Sequence, residues 1–239
     1  SLPSGQKIAE DETALQTARR WLAEGKIIAV KGLGGFHLAC DATNPIAVVT
    51  LRTRKKRSDK PFALMAFDIE SIQHHCQVSV TEQQLLLSQQ QPIVLLDRLP
   101  ASAITAEVAP NLTTLGVMLA YTPLHLLLLE PAPGFPDMLV MTSGNLSEEP
   151  IAFRDDEAAR RLSPLADAFL LHDRPIHTRV DDSVVMAADD RAYFTRRSRG
   201  YAPDSVILPI TSQPLLAAGA ELKNTFCLTR DRYAFISHH

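Results

Sequence analysis

Four short segments of this 239-residue chain carry side chains that could do chemistry. The first is Lys55-Lys56-Arg57-Ser58-Asp59-Lys60-Pro61. Residues 52–60 hold six cations and one anion, a local net charge of +5 in a chain that carries −3, so the remainder carries −8. Cations at a helix end, entering a loop before a strand, can converge on phosphate oxygens, Arg through a planar fork and Lys as a compact charge. The same cations also suit a solvated helix C-terminus, where they complement the helix dipole. The second segment is Thr142-Ser143-Gly144-Asn145, just after a run of strand character. Small residues there let backbone N–H groups approach an anion, and the Asn145 amide can orient a ligand; a polar turn would use the same residues. The third, Lys31-Gly32-Leu33-Gly34-Gly35-Phe36-His37, follows a strand but matches neither phosphate-loop fingerprint, and His37 alone reads as readily as a structural histidine. The fourth joins Arg179-Val180-Asp181-Asp182-Ser183 to Arg196-Arg197-Ser198-Arg199-Gly200-Tyr201, whose carboxylates could hold Mg²⁺ or pair with the nearby arginines.

The elements that must position these groups alternate. A helix is expected over residues 11–24, with Leu15, Ala18, Trp21 and Leu22 on one face and Gly25 as its stop. Strands follow over 26–31 and 36–40. Asn44-Pro45 is a cap and first position for a helix running into the basic cluster. Further strands are expected over 61–67, 92–96, 114–119, 138–141 and 167–171. Helices are expected over 68–75, 81–90, 122–130 and 154–162, and a hairpin joins 183–188 to 193–197. Such alternation argues for a sheet covered by helices. From 200 to 214, Pro203, Pro209 and Pro214 and the lack of a period read as a linker, followed by three short strands with a turn at 230–232.

Composition narrows the classes. With 46% hydrophobic and 21% charged residues the chain reads as a soluble globular protein. Its most apolar stretch, 124–129, is far short of the roughly 20 residues that span a bilayer. No signal segment opens it, and three scattered cysteines suit a reducing compartment, so a cytoplasmic location is expected. The cysteines form no C-x-x-C pair, and His74-His75 and His172/His177 have no metal-binding spacing, so no residue is assigned to a protein-bound metal.

In order, KGLGGFHLACDA, KKRSDKPFALM, LGVMLAYTPLH, VMTSGN, VDDSVV and RRSRGYAP resemble the YrdC-like domain of the HypF carbamoyltransferases. AGAELKNTFCL resembles the start of the actin-like carbamoyl-transfer domain that follows it there, and the likeness runs from about Gln6 to Ser237. The resemblance implies an α/β (α+β) YrdC-like fold of three layers, with a twisted mixed sheet and a concave basic cleft. It implies a nucleotide-binding domain over 1–205, then a linker and the first strands of a truncated second domain over 206–239. The acylphosphatase domain and zinc fingers of the family's full-length members do not occur in this sequence, so a fragment is expected, with His238-His239 as a tag remnant.

By the same resemblance, Lys55, Arg57, Lys60, Ser143 and Asn145 bind ATP and stabilise an adenylate, Lys55 and Arg57 being the residues expected to carry catalysis. Lys31, His37, Ser183, Arg197 and Arg199 complete the expected nucleotide-binding set. Carbamate, derived from carbamoyl phosphate, would attack Mg·ATP to give carbamoyl-adenylate. The carbamoyl group would then pass to the second domain and to the acceptor protein HypE, for the cyanide ligands of nickel–iron hydrogenase. Two departures bear on substrate. The tRNA-modifying synthases of the wider family hold threonine with a His and an Arg where this chain has Met65 and Met118. A buried carboxylate without a cation is costly, so threonine is an unexpected substrate. Ala120 stands where Pro is usual, which puts the local turn in question. The competing classes are a threonylcarbamoyl-adenylate synthase, a double-stranded-RNA-binding module and a non-catalytic scaffold. The net charge of −3 and single basic cluster argue against RNA.

Overall fold

A computed structural model describes residues 1–147, 149–219 and 224–238. The elements are, in order, α1 (Asp11–Ala23), β1 (Ile28–Lys31), β2 (Phe36–Asp41), α2 (Pro45–Lys55), β3 (Ala63–Ala66), α3 (Ile69–Gln73), α4 (Val80–Leu87), β4 (Ile93–Asp97), β5 (Thr114–Leu119), α5 (Pro123–Leu129), β6 (Met138–Ser143), α6 (Asp155–Leu162), β7 (Ala168–Leu170), β8 (Val184–Ala188), β9 (Arg191–Arg196), β10 (Ser205–Ala218) and β11 (Phe226–Ile236). A 3-10 turn covers Ala106–Val108.

Local chemistry sets several boundaries. Gly25, at φ +80°, ends α1 in the left-handed conformation. The Asn44 side chain accepts from the N–H groups of Ile46 and Ala47, with Pro45 at the first helical position. Ser79 and Glu82 form a reciprocal capping box on α4. At the other end of α2, Lys56 takes a left-handed φ of 51° without being glycine, a strain of about 1 kcal/mol that turns the chain abruptly out of the helix.

Nine strands form one mixed sheet in the order β7-β1-β2-β6-β3-β5-β4-β8-β9. The pairs β1–β7, β3–β5 and β4–β8 are parallel and the others antiparallel. Alternate residues feed two cores. Phe36, Leu38, Leu64, Val117 and Val140 pack towards α2 and α6, while Val30, Ala39, Met65, Met118, Leu139 and Met141 pack towards α1 and α5. A sheet between two helical layers is the architecture the alternating elements called for. In it Met65 and Met118 are cross-strand neighbours, both fully buried. At Ala120 the chain uses what proline lacks: its N–H donates to Ala66 O at 3.0 Å.

The tail departs from expectation. In place of a linker and three short strands there are two long antiparallel strands, β10 and β11, forming their own sheet. Pro209 and Pro214 lie in the two register breaks of β10, between Ile207 and Ser212 and between Ser212 and Leu215, where no ladder N–H is required. In place of the turn expected at 230–232, Asp231, at φ +53°, lies inside β11 and pairs with Ser212, and the extra residues of the two register breaks belong to β10. Residues 220–223 of the AGAELKNTFCL motif, and His239, lie outside the described residues.

Candidate functional site

Lys55, the last residue of α2, is fully buried. Its Nζ donates to Ser143 O at 2.6 Å, Asn145 O at 2.5 Å and Asn145 Oδ1 at 3.0 Å. Ser143 Oγ donates to the same Oδ1 at 2.8 Å, and Asn145 Nδ2 donates to Glu149 O. The end of α2 and the turn after β6 are thus one hydrogen-bonded knot.

The loop beyond Lys55 is shaped by Arg52. Its guanidinium donates to the carbonyls of Glu107, Arg57, Ser58, Lys60 and Val108 and stacks over Phe62 at 4.6 Å. Arg57 reaches back to Lys60 O and Pro61 O. Arg54 turns the other way, to Leu165 O and Asp167. The six cations therefore do not converge as one patch: Arg52 and Lys55 are buried, Arg54 is tied to Asp167, and Lys56, Arg57 and Lys60 lie at the surface or half-buried. Sequence reading counts charges; it does not see that a helix end has carbonyls of its own to satisfy.

A second cluster lies on the α1/α5 face of the sheet. His37 pairs in register with Ser143, so their side chains are neighbours on that face. His37 Nε2 lies 3.4 Å from Asp182 Oδ2, and Arg199 Nε donates to Asp182 Oδ1 at 2.6 Å. Burial alone would raise the Asp182 carboxyl; the hydrogen bond from His37 and the charge of Arg199 outweigh it and hold it well below the carboxylate range. Arg199 lies over the Tyr121 ring at 3.7 Å and donates to Gln90 O and Gln91 O. Burial and the charge of Asp182 push the Tyr121 phenol well up. His125, on α5, is fully buried, its ring 4.7 Å from Tyr121 and 5.7 Å from His37. Desolvation, then the charge of His37, push it down to about 3.

The glycine turn explains how the segments meet. A Cβ on Gly34 would lie 2.4 Å from Val180 Cγ1 and 2.5 Å from Val180 O, so only glycine lets the irregular segment leading to Asp182 pass so close. Lys31 stands on the opposite face, bonded to Asp155 and to His172 O. Ser183 is fully buried, donating to Arg199 O and accepting from Ser198 N–H. Arg197 donates to Tyr201 O and Asp204 O. Of the two uses left open for Asp181-Asp182, Asp182 takes the arginine pair.

The structure thus joins Lys55, Ser143, Asn145 and His37 in one region and brings Asp182 and Arg199 to His37. Ser183 supports the Arg199 segment, and Lys31 lies apart. Sequence reading gave no role to Arg52, Tyr121 or His125. His125 had one available signal, as the lone polar side chain in the run Leu124–Leu129.

With the site in view, comparison with known proteins places the chain. Residues 20–198 match the Sua5/YciO/YrdC family, described as Telomere recombination, and 211–239 match the HypF Kae1-like domain. The chain belongs to the Sua5/YciO/YrdC family. Within it, the likeness is to carbamoyltransferases: it is 47% identical to carbamoyltransferase HypF of Synechocystis over 98% of its length. A full-length HypF in the phosphate- and nucleotide-bound form is 48% identical and superposes with a TM-score of 0.87, over 98% of this chain and 36% of that one. HypF of T. kodakarensis is 38% identical with a TM-score of 0.90, over 99% of this chain and 31% of that one. The chain spans about a third of the length of the curated relatives it matches, 30% for the Synechocystis protein. Among the described residues, no helix is long and apolar enough to cross a membrane.

Proposed function

We propose that this chain forms carbamoyl-adenylate from ATP and carbamate, within a carbamoyltransferase of the HypF type. The reading rests on one arrangement: Lys55 and Ser143, 88 residues apart in sequence, are tied together with Asn145, and His37 stands beside Ser143. A nucleotide-bound relative at 48% identity supports it. With the carbonyls of Ser143 and Asn145 drawn onto Lys55, an incoming phosphate is not met by their lone pairs. Arg57 and Lys60, on the loop braced by Arg52, neutralise phosphate charge. A carbamate oxygen bonds to the α-phosphorus while the bond to the β-phosphate bridge breaks; pyrophosphate leaves with the electron pair and no redox partner is needed.

Mg²⁺ would arrive on the triphosphate. Among the described residues, no three His, Cys, Asp or Glu side chains form a metal cluster, and Asp182 is engaged by His37 and Arg199. Residues 1–205 form the adenylating domain in this reading, and 206–239 begin the domain that receives the carbamoyl group. HypE is the final acceptor, carbamoyl phosphate the upstream source of carbamate, and the cytoplasm the location.

Pyrophosphate release tests the reading. ATP, Mg²⁺ and concentrated ammonium bicarbonate, which contains carbamate at equilibrium, should support release; carbamoyl phosphate should support far less unless an acylphosphatase is added. Arg57→Glu should abolish ATP binding by calorimetry, whereas reversal of the exposed Arg20 on α1 should not. No release with carbamate, or equal ATP affinity in Arg57→Glu, overturns it.

A further inference from the structure

Among the described residues, six buried side-chain nitrogen and oxygen atoms have no hydrogen-bond partner, and four of these are ring nitrogens of His37, His125 and His172. His125 is the extreme case: the whole residue is buried and neither nitrogen is bonded. A buried polar group without a partner destabilises a fold, and two on one ring would be more economically replaced by a leucine. Such atoms mark a place where a polar ligand completes the site. His37 contributes the third, its Nδ1, at a ring 5.7 Å from that of His125. A side chain on Gly32 would crowd that nitrogen at 3.0 Å, so the glycine keeps its approach open.

We infer that His125 and His37 form the closed end of the acyl subsite and recognise the H₂N–C(=O)– group of carbamate and of its adenylate. This deepens the proposed reaction and rests on it. His37 stands in register with Ser143, which places the pair next to the knot with Lys55. Asp182 only accepts, so His37 faces it with an Nε2 proton, and in the tautomer whose one proton sits there Nδ1 presents a lone pair. His125, kept neutral at ordinary pH by its burial, presents one N–H and one lone pair. The two nitrogens of His125 point apart, so one carbamoyl group uses one of them: the His37 Nδ1 lone pair accepts from its N–H and a His125 N–H donates to its carbonyl oxygen. Acetate supplies no such donor. Tyr121, edge-on to His125 and under Arg199, adds an aromatic ring to the face where Met65 and Met118 lie, and the cation there, Arg199, is already paired with Asp182.

The test compares His125→Leu, which removes both nitrogens' functions, with His125→Gln, whose amide keeps one donor and one acceptor. In the pyrophosphate assay, His125→Leu should raise KM for carbamate by roughly tenfold or more, the cost of leaving the amide unpaired, with KM for ATP unchanged. His125→Gln should restore most of the loss. In the wild type, adding ammonium bicarbonate with a non-hydrolysable ATP analogue should shift the ring ¹⁵N resonances of His125 and His37, a readout that needs no variant to fold. Unchanged KM for carbamate in His125→Leu, loss of ATP and carbamate affinity together in both variants, or unmoved ring resonances would overturn the inference while leaving the adenylation reading in place. A wild type that releases no pyrophosphate with carbamate removes the adenylation reading, and this inference with it.

Discussion

Acidification should weaken the fold through His125, and the size of the effect follows from its burial. The imidazole is pushed down to about 3 from an ordinary 6.5, chiefly by desolvation. A folded value below the unfolded one means that the unfolded chain takes up the proton first. The group is therefore neutral in its effect above pH 6.5 and costs stability progressively as pH falls from 6.5 towards 3. At about 1.4 kcal/mol per pH unit, the loss at pH 5 is about 2 kcal/mol. Asp182 and Asp137, both held below the usual carboxylate value, lose their contributions only at lower pH, so pH 5 isolates the histidines. His172, also lowered by burial and then by the charge of Lys31, adds in the same direction. The measurement is urea unfolding of wild type and His125→Leu at pH 7.5 and pH 5. The wild type should lose about 2 kcal/mol more than the variant, roughly a 1 M difference in midpoint shift. If both lose the same stability within about 0.5 kcal/mol, the ring is not held neutral as described and the reasoning fails.

Two further outcomes are expected. Arg52→Ala removes five donor contacts to carbonyls, one of them on buried Val108, and should cost roughly 3 kcal/mol, lowering Tm by about 6–12 °C by calorimetry; Arg52→Lys keeps the charge but not the fork and should recover little, and a cost under about 1 kcal/mol would contradict the bracing role. Supplied with L-threonine, bicarbonate and ATP, the protein should give no threonylcarbamoyl-adenylate by mass spectrometry, because Met65 and Met118 offer a carboxylate no cation; a clear adenylate peak of that mass would favour the tRNA-modifying chemistry.

The fold was legible where local chemistry is strong. Asn44-Pro45, Gly25 and the alternating apolar runs gave α2, the end of α1 and most strands to within a residue or two, because caps and periodicity are properties of neighbours in sequence. The tail was not legible because proline is a strand-breaker only where a ladder needs its N–H, and whether it does depends on a partner strand 14 residues or more away. The site was legible as motifs but not as roles. Lys55 and Arg52 are both basic residues on one helix, and nothing local says that one ties the Ser143 turn while the other braces its own loop. The pairing of His37 with Asp182, and the placing of His125 beside it, come from segments that meet only when the sheet is complete.

That completion has a cost in time. β1 needs β7 as its outer neighbour, and Ile28 pairs with Ala168. On the ribosome the two are separated by roughly ten seconds or more of synthesis, at about 5–20 residues per second. Through that interval Ile28–Lys31, which the finished protein buries completely, offers a bare row of N–H and C=O groups to whatever strand is near. β2 can cover one side early, since it follows within a few residues. The other side stays open until Ala168–Leu170 emerges. Nascent chains stalled short of that point should therefore be the aggregation-prone population, and a chaperone that shields β1 would act during elongation rather than after release.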